Sequence, residues 1–300
     1  MFLGLSLEKL CVRRLFIMAI ITISRGCFSH GQMIAEKVAE MLGYKCVSRE
    51  ILVEAAHLFK VSEKKLLKSL HDAPTILERI THGKTKYLAQ LQAALLEYVK
   101  EDNIVYHGHA GHLLLTGIPQ VLKVRILAEK EDRIVLLQHK QNISREKALT
   151  VIESEDQNRI NWTRYLYKTD INDPWLYDIV FKIGLLTIDD ACEIICSAAK
   201  SESYQTSPEY KQAIVDLAIT KHVEASLQTI CEADVFVRNG EVHVKVAAQK
   251  IKKTGYSSPA LQHHLGETYQ HDLIREIKEI TNKIHGVKGV FCQVDPPYYT

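Results

Sequence analysis

Ile20-Ile21-Thr22-Ile23-Ser24-Arg25-Gly26-Cys27-Phe28-Ser29-His30-Gly31-Gln32-Met33 begins as an apolar, β-branched run and then passes through two glycines separated by four residues. Beyond it, Ile34, Val38, Met41 and Leu42 recur at helical spacing until Gly43. The pattern predicts a buried strand, a short loop and an amphipathic helix. Glycines at this spacing let backbone amides close around a phosphate, with a helix N-terminus behind them. The loop thus has the layout of a P-loop, yet Gln32 stands where that motif places lysine and Met33 where it places serine or threonine. Gln32 is a neutral donor and Met33 is no ligand for a hard metal ion; Ser29 is the hydroxyl left in the loop.

Outward from this stretch, strands are predicted at 44–47, 104–107, 121–127 and 177–181. Helices are predicted after the Ser48 cap to 59, then at 63–70, 81–100, 129–140 and 145–167. A short helix follows Gly108-His109-Ala110-Gly111, and Thr187-Ile188-Asp189-Asp190 is a capping box that opens a last helix to 199. Strands alternating with helices imply a parallel sheet covered on both faces, and the nearly all-apolar run 121–127 suits such a sheet. Residues 201–208 read as a polar linker, which divides the chain into domains at 18–200 and 209–296. The second domain reads as α+β: a helix at 210–227, strands at 233–238 and 241–247 around Asn239-Gly240, a loop at 249–270, a helix at 272–284 and a strand at 287–294. Asn-Gly between two alternating strands is the signature of a type I′ hairpin.

The 300 residues are 46% hydrophobic and 25% charged, ordinary for globular domains, and the net charge of +2 gives no basic stripe to suit nucleic acid. Seven cysteines without a C-x-x-C pair suit free thiols in a reducing compartment. The apolar run 15–23 is too short to span a membrane, and no cleavage signal precedes it. Met18 is taken as the start, with 1–17 as an extension, and the location expected is cytoplasmic. His107, His109 and His112 have a spacing that imidazole metal sites use, but they lack acidic or thiolate neighbours, so no metal site is assigned.

Several short signatures occur in order over 18–200: Ile23-Ser24-Arg25, Gly31-x-x-Ile34-Ala35-Glu36-Lys37, Arg49-Glu50-Ile51 and Gly108 with Gly111. They continue with Glu131-x-Arg133, Ser144-Arg145-Glu146-Lys147-Ala148, Asp156-x-x-Arg159 and Tyr177-Asp178-Ile179-Val180. With them this region resembles the cytidylate kinase-like family of P-loop nucleoside monophosphate kinases. The resemblance implies an α/β fold, a parallel five-stranded sheet flanked by helices, that moves the ATP γ-phosphoryl group to CMP or a related nucleotide with Mg²⁺. It implies Ser24, Arg25, Gly26, Ser29, Gly31 and Gln32 as cofactor-binding residues. Arg49, Gly108 and His109 become substrate-binding residues, and Arg133, Asp156 and Arg159 catalytic residues of a closing lid. Phe28, His30, Gln32, Ser48 and His109 depart from the family pattern.

Residues 208–295 resemble a BON domain through Ile214, Leu217 and Val223, the segment Val235-x-Val237-x-Asn239-Gly240-x-Val242, and Gly286-Val287-x-Gly289-Val290. That resemblance implies a small module contacting a membrane, phospholipid or protein partner, with the insertion at Gln249 as a separate contact surface. Two functions stay open at this level: a nucleotide kinase with a degenerate loop, and a catalytically inactive kinase-like protein that acts through its second domain.

Overall fold

The run Ile20–Arg25 is β1, the central strand of a five-stranded sheet in a computed structural model of the chain. The structure describes residues 19–48, 50–64, 83–108, 110–118, 120–205, 207–248, 250–251 and 259–299. After β1 come α1 (Gly31–Leu42), β2 (Lys45–Val47), α2 (Glu50–Phe59), α3 (Gly83–Val99), β3 (Ile104–Tyr106) and α4 (Gly111–Leu114). They are followed by β4 (Val121–Ala128), α5 (Lys130–Gln141), α6 (Arg145–Tyr167), β5 (Ile179–Ile183) and α7 (Ile188–Ala199). The sheet order is β2-β3-β1-β4-β5 and every pair is parallel. Successive side chains of a strand point to opposite faces. Ile21 and Ile23 therefore meet Ile34 and Val38 of α1 and Cys192 and Ile195 of α7, while Ile20 joins Leu95 of α3 and Trp162 of α6 on the other side. Because the chain continues from β1 toward β2 on one side and later crosses to β4 on the other, the C-terminal end of β1 is where a crevice opens in sheets of this kind.

The remainder contains α8 (Pro208–Leu227), β6 (Ala233–Arg238), β7 (Glu241–Val246), β8 (Lys250–Ile251), α9 (Pro259–Thr281), β9 (Gly289–Val294) and β10 (Tyr298–Tyr299). Ser207 caps α8 by accepting the amide of Tyr210, with Pro208 at the first helical position, where its missing N–H costs nothing. β6 and β7 are antiparallel across Asn239 (φ 53°) and Gly240 (φ 83°), the two positive angles that a type I′ turn demands. β9 adds parallel to β7, giving a small mixed sheet. α8 belongs to two cores: Ile214 and Ala218 pack with α3, and Ile219, Val223 and Leu227 pack over the small sheet.

Two expectations are corrected. The predicted loop 249–270 is half helical, since α9 already begins at Pro259. Leu261, Leu265, Tyr269, Leu273 and Ile277 recur every fourth residue, a helical stripe hidden among His, Gln and Glu. β5 starts at Ile179, not at Tyr177, because the Tyr177 amide donates to the Pro174 carbonyl at 3.1 Å and closes a short helical turn ahead of the ladder with β4. The predicted helix at 63–70 falls mostly outside the described residues. Among the described residues no helix is long and apolar enough to cross a membrane, and Cys27, Cys46, Cys192, Cys196, Cys231 and Cys292 are free thiols.

Candidate active site

The turn after β1 is shaped by backbone that side-chain-bearing residues adopt reluctantly: Phe28 (φ 56°) and His30 (φ 64°) both sit in the left-handed region. Phe28 packs against the cluster of Ile134, Leu137, Ala148 and Ile152 between α5 and α6, so it does not fill the bowl of the loop. Ser29 is fully buried and donates its hydroxyl to the carbonyls of Gly26 (2.9 Å) and Ile126 (3.2 Å), which ties the loop to β4. Gln32 faces outward and donates to Glu36 one turn along α1 at 2.8 Å.

The first turn of α1 has neither an acidic residue nor a side-chain cap. Among the described residues, no partner is seen for the amides of residues 28–33, the last three of which open the helix. Such N–H groups, reinforced by the helix dipole, form a ready anion site. The side chain of Arg25 folds over Gly31, where an added Cβ would lie 2.6 Å from Arg25 Cδ. Only glycine leaves room for that approach.

The arginines of α5 and α6 close over the entrance of the loop. Arg133 donates Nε to the Cys27 carbonyl at 2.6 Å and pairs with Asp156 through Nη2. Asp156 also accepts the Cys27 amide at 2.9 Å, and Arg159 donates to the Arg25 carbonyl at 2.9 Å. A carboxylate and two guanidiniums thus hold residues 25–27 and make no hydrogen bond to the amides of 28–33. Burial pushes the Cys27 thiol up to about 11, so at neutral pH it is a protonated packing group, not a nucleophile.

Beside the loop, Tyr106 closes the end of β3, with Gly108 and Gly111 pressed against its ring. A Cβ on Gly111 would come within 2.3 Å of Tyr106 Cδ1, and one on Gly108 within 2.2 Å of its hydroxyl oxygen. Gly111→Ala is accordingly expected to destabilise the fold by about 1–3 kcal/mol, the usual cost of overpacking a core, as read by denaturant unfolding. His112 on α4 is 3% exposed, and burial, with Arg125 and Lys123 nearby, lowers its pKa from 6.5 to about 3. Its neutral form is the folded one, so the unfolded chain binds the extra proton and stability falls as the pH drops from 6.5 toward 3. Burial moves His107 and His222 in the same direction. The expected loss from His112 is about 5 kcal/mol at most. Urea titrations at several pH values should show a shallower slope for His112→Phe than for the wild type, and an unchanged slope would contradict this.

The structure brings Ser24, Arg25, Gly26, Ser29, Gly31, Gln32, Arg133, Asp156 and Arg159 around one loop. Gly108 lies at the end of β3, while Arg49 and His109 lie outside the described residues. Arg125, a charged residue inside the apolar strand Val121–Ala128, donates to Ser24 at 2.9 Å and lies beside the Tyr177 ring, contacts that only the strand register brings about. A profile of the cytidylate kinase-like family matches residues 20–184, more than half of the chain and all of the sheet. The chain belongs to the cytidylate kinase-like family. Over 113 residues it is 30% identical to a cytidylate kinase of Pyrobaculum calidifontis, a match covering 36% of this chain and 60% of that protein, so less than two thirds of that relative's length is spanned. Among solved structures, an uncharacterised protein of Eubacterium ventriosum aligns over 61% of this chain and 99% of its own, at 19% identity and a TM-score of 0.47. A shikimate kinase of Bacteroides thetaiotaomicron aligns over the same two shares at 10% identity and a TM-score of 0.38.

Membership in the cytidylate kinase-like family implies a nucleotide and usually Mg²⁺. The unpartnered amides fit a polyphosphate. The loop side chains do not fit a protein-held Mg²⁺: Met33 has no hard oxygen, Ser29 spends its proton on two carbonyls, and among the described residues no three His, Cys, Asp or Glu side chains gather into a metal-binding group.

Proposed function

We propose that the chain is an ATP-dependent nucleotide kinase that binds the donor phosphates on backbone alone, with CMP as the acceptor to test first. The observation that carries this reading is the run of unpartnered amides at 28–33 leading into α1 beside Arg133 and Arg159. Phosphoryl transfer asks little covalent chemistry of a protein; it asks that phosphates be positioned and their charge met. In this reading the amides and the dipole of α1 hold the donor, Arg133 and Asp156 fix the shape of the loop, and Arg159 supplies the cation that the loop itself lacks at Gln32. The crevice beside Tyr106 takes the acceptor. The C-terminal unit enters the proposal as a binding module of the BON type, with the exposed row Phe236, His243 and Phe291 as its contact face.

A coupled assay of ADP release with CMP, dCMP and UMP should show turnover that requires both ATP and one of these acceptors. No turnover with any of them would contradict the proposal. Gln32→Lys combined with Met33→Ser should raise ATP affinity about tenfold, the scale of one added charge-assisted contact.

A further inference from the structure

The small sheet of β6, β7 and β9 has one face in the core and one in water. Alternation along β7 turns Val242, Val244 and Val246 inward, beneath α8 and α9, and leaves Glu241, His243 and Lys245 facing out. The ladders set Phe236 of β6, His243 of β7 and Phe291 of β9 side by side, so the middle of the outer face is a row of three rings. Phe236 is 61% and Phe291 54% exposed, and the His243 ring stacks on that of Phe291 at 4.9 Å, 13° from parallel. A shallow groove over the same face is lined by these rings and by Lys245. Large apolar side chains gathered on an exposed sheet face mark an interaction surface.

The charges beside the rings identify what fits it. On one side of the row lie Asp234 of β6 and Lys245 of β7; on the other lie Arg238 of β6 and Glu241 of β7. Each of these strands thus carries opposite signs on the two sides of the row. A two-fold axis along the row lays a second copy face down on the first, with every strand over its counterpart and the two sides exchanged. Asp234 then meets Arg238 of the second copy, and Lys245 meets its Glu241. Each contact occurs twice, as an isologous interface requires. The ring row lies on itself. A two-fold axis along the strands would instead set Lys245 against Lys245 and Glu241 against Glu241, so the charge pattern selects one orientation. Packed sheets lie about 10 Å apart, a gap that lysine and arginine side chains can cross. Among the described residues none of these four charged side chains is engaged in an ion pair of its own chain. An anionic lipid surface would repel Asp234 and Glu241 as much as it attracted Arg238 and Lys245.

We propose that the outer face of the small sheet is a homodimer contact, in which two copies stack their ring rows and pair Asp234 with Arg238 and Glu241 with Lys245. This rests on the reading of the C-terminal unit as a binding module and names its partner; it does not depend on kinase activity. A patch of three short strands is at the small end of interfaces, so the dimer is expected to be reversible, with a Kd of about 1–100 μM.

The test is sedimentation equilibrium of the full chain from about 1 to 200 μM, a range that brackets such an interface. The wild type should pass from monomer to dimer. Glu241→Lys and Lys245→Glu each set like charges opposite one another in a homodimer, and each alone should weaken association at least tenfold. Mixed one to one, the two variants compensate each other across the axis, and the mixture should dimerise within about threefold of the wild type, since every facing pair is again of opposite sign. A mixture no better than its components, or single variants that dimerise like the wild type, would overturn the proposal. Should either variant lose its fold by circular dichroism, Phe236→Ser takes its place: a tenfold weaker dimer supports the contact, and an unchanged one overturns it. A wild type that stays monomeric overturns the homodimer. If that monomer pellets with phosphatidylserine vesicles, the binding-module reading survives with a lipid partner; if it does not, that reading falls as well.

Discussion

Arg159→Met is expected to slow phosphoryl transfer about 100- to 1,000-fold, the range seen when a donor aimed at developing charge is removed. Arg159 lies on α6, one turn from Asp156, and anchors one nitrogen on the Arg25 carbonyl at 2.9 Å. That anchor holds the guanidinium at the start of the loop, and in the proposed reading donor phosphates rest on the amides of 28–33. With Gln32 in the lysine position, no compensating cation comes from the loop. Stability should change far less, about 1 kcal/mol, since one carbonyl loses one hydrogen bond. Arg159→Lys should recover part of the rate through charge alone, but not the forked geometry. Steady-state kinetics beside thermal unfolding would check this. A rate within threefold of wild type for the methionine variant would remove Arg159 from the lid.

Ile214→Asp is expected to be the most destabilising single change in the C-terminal half. Ile214 is 3% exposed and packs with Leu91, Leu95 and Leu96 in the core that α3 shares with α8. Losing its packing costs about 2–5 kcal/mol, and burying a carboxylate in its place adds a desolvation penalty. The same helix touches α2, where His222 meets the Phe59 ring at 5.2 Å, and Lys211 approaches Asp102 at 3.8 Å. Removing this brace should therefore loosen α2 and α3 as well as the small sheet. Hydrogen exchange should show faster exchange in both regions for the variant; faster exchange confined to the small sheet would mean the two cores are independent.

Much of this architecture can be read locally. The β-branched run of β1, the helical recurrence of α1, the Thr187–Asp190 capping box and the Asn239-Gly240 turn each depend on residues within a few positions of one another, and each is found where the pattern places it. What escaped the pattern depends on long-range packing. Arg125 and Ser24 are about a hundred residues apart in the chain, and only the strand register makes them neighbours. Phe28 reads as bulk in a phosphate loop until α5 and α6 supply the cluster that takes it up. The first half of α9 reads as loop because its apolar positions are separated by polar ones, so composition conceals its periodicity, while the predicted helix at 272–284 covers its second half. Asp156 and Arg133 were placed in the lid by resemblance, but that they hold the Cys27 amide and carbonyl is a property of the folded chain.

The central claim is that this loop holds a triphosphate without its lysine, through the amides of 28–33 and the start of α1. Calorimetric titration of the full chain with ATP tests it most directly. Saturable binding with a Kd between about 1 μM and 1 mM, the range of ordinary substrate affinities, is the predicted result. No saturable heat up to about 5 mM ATP, beyond that range, would contradict it.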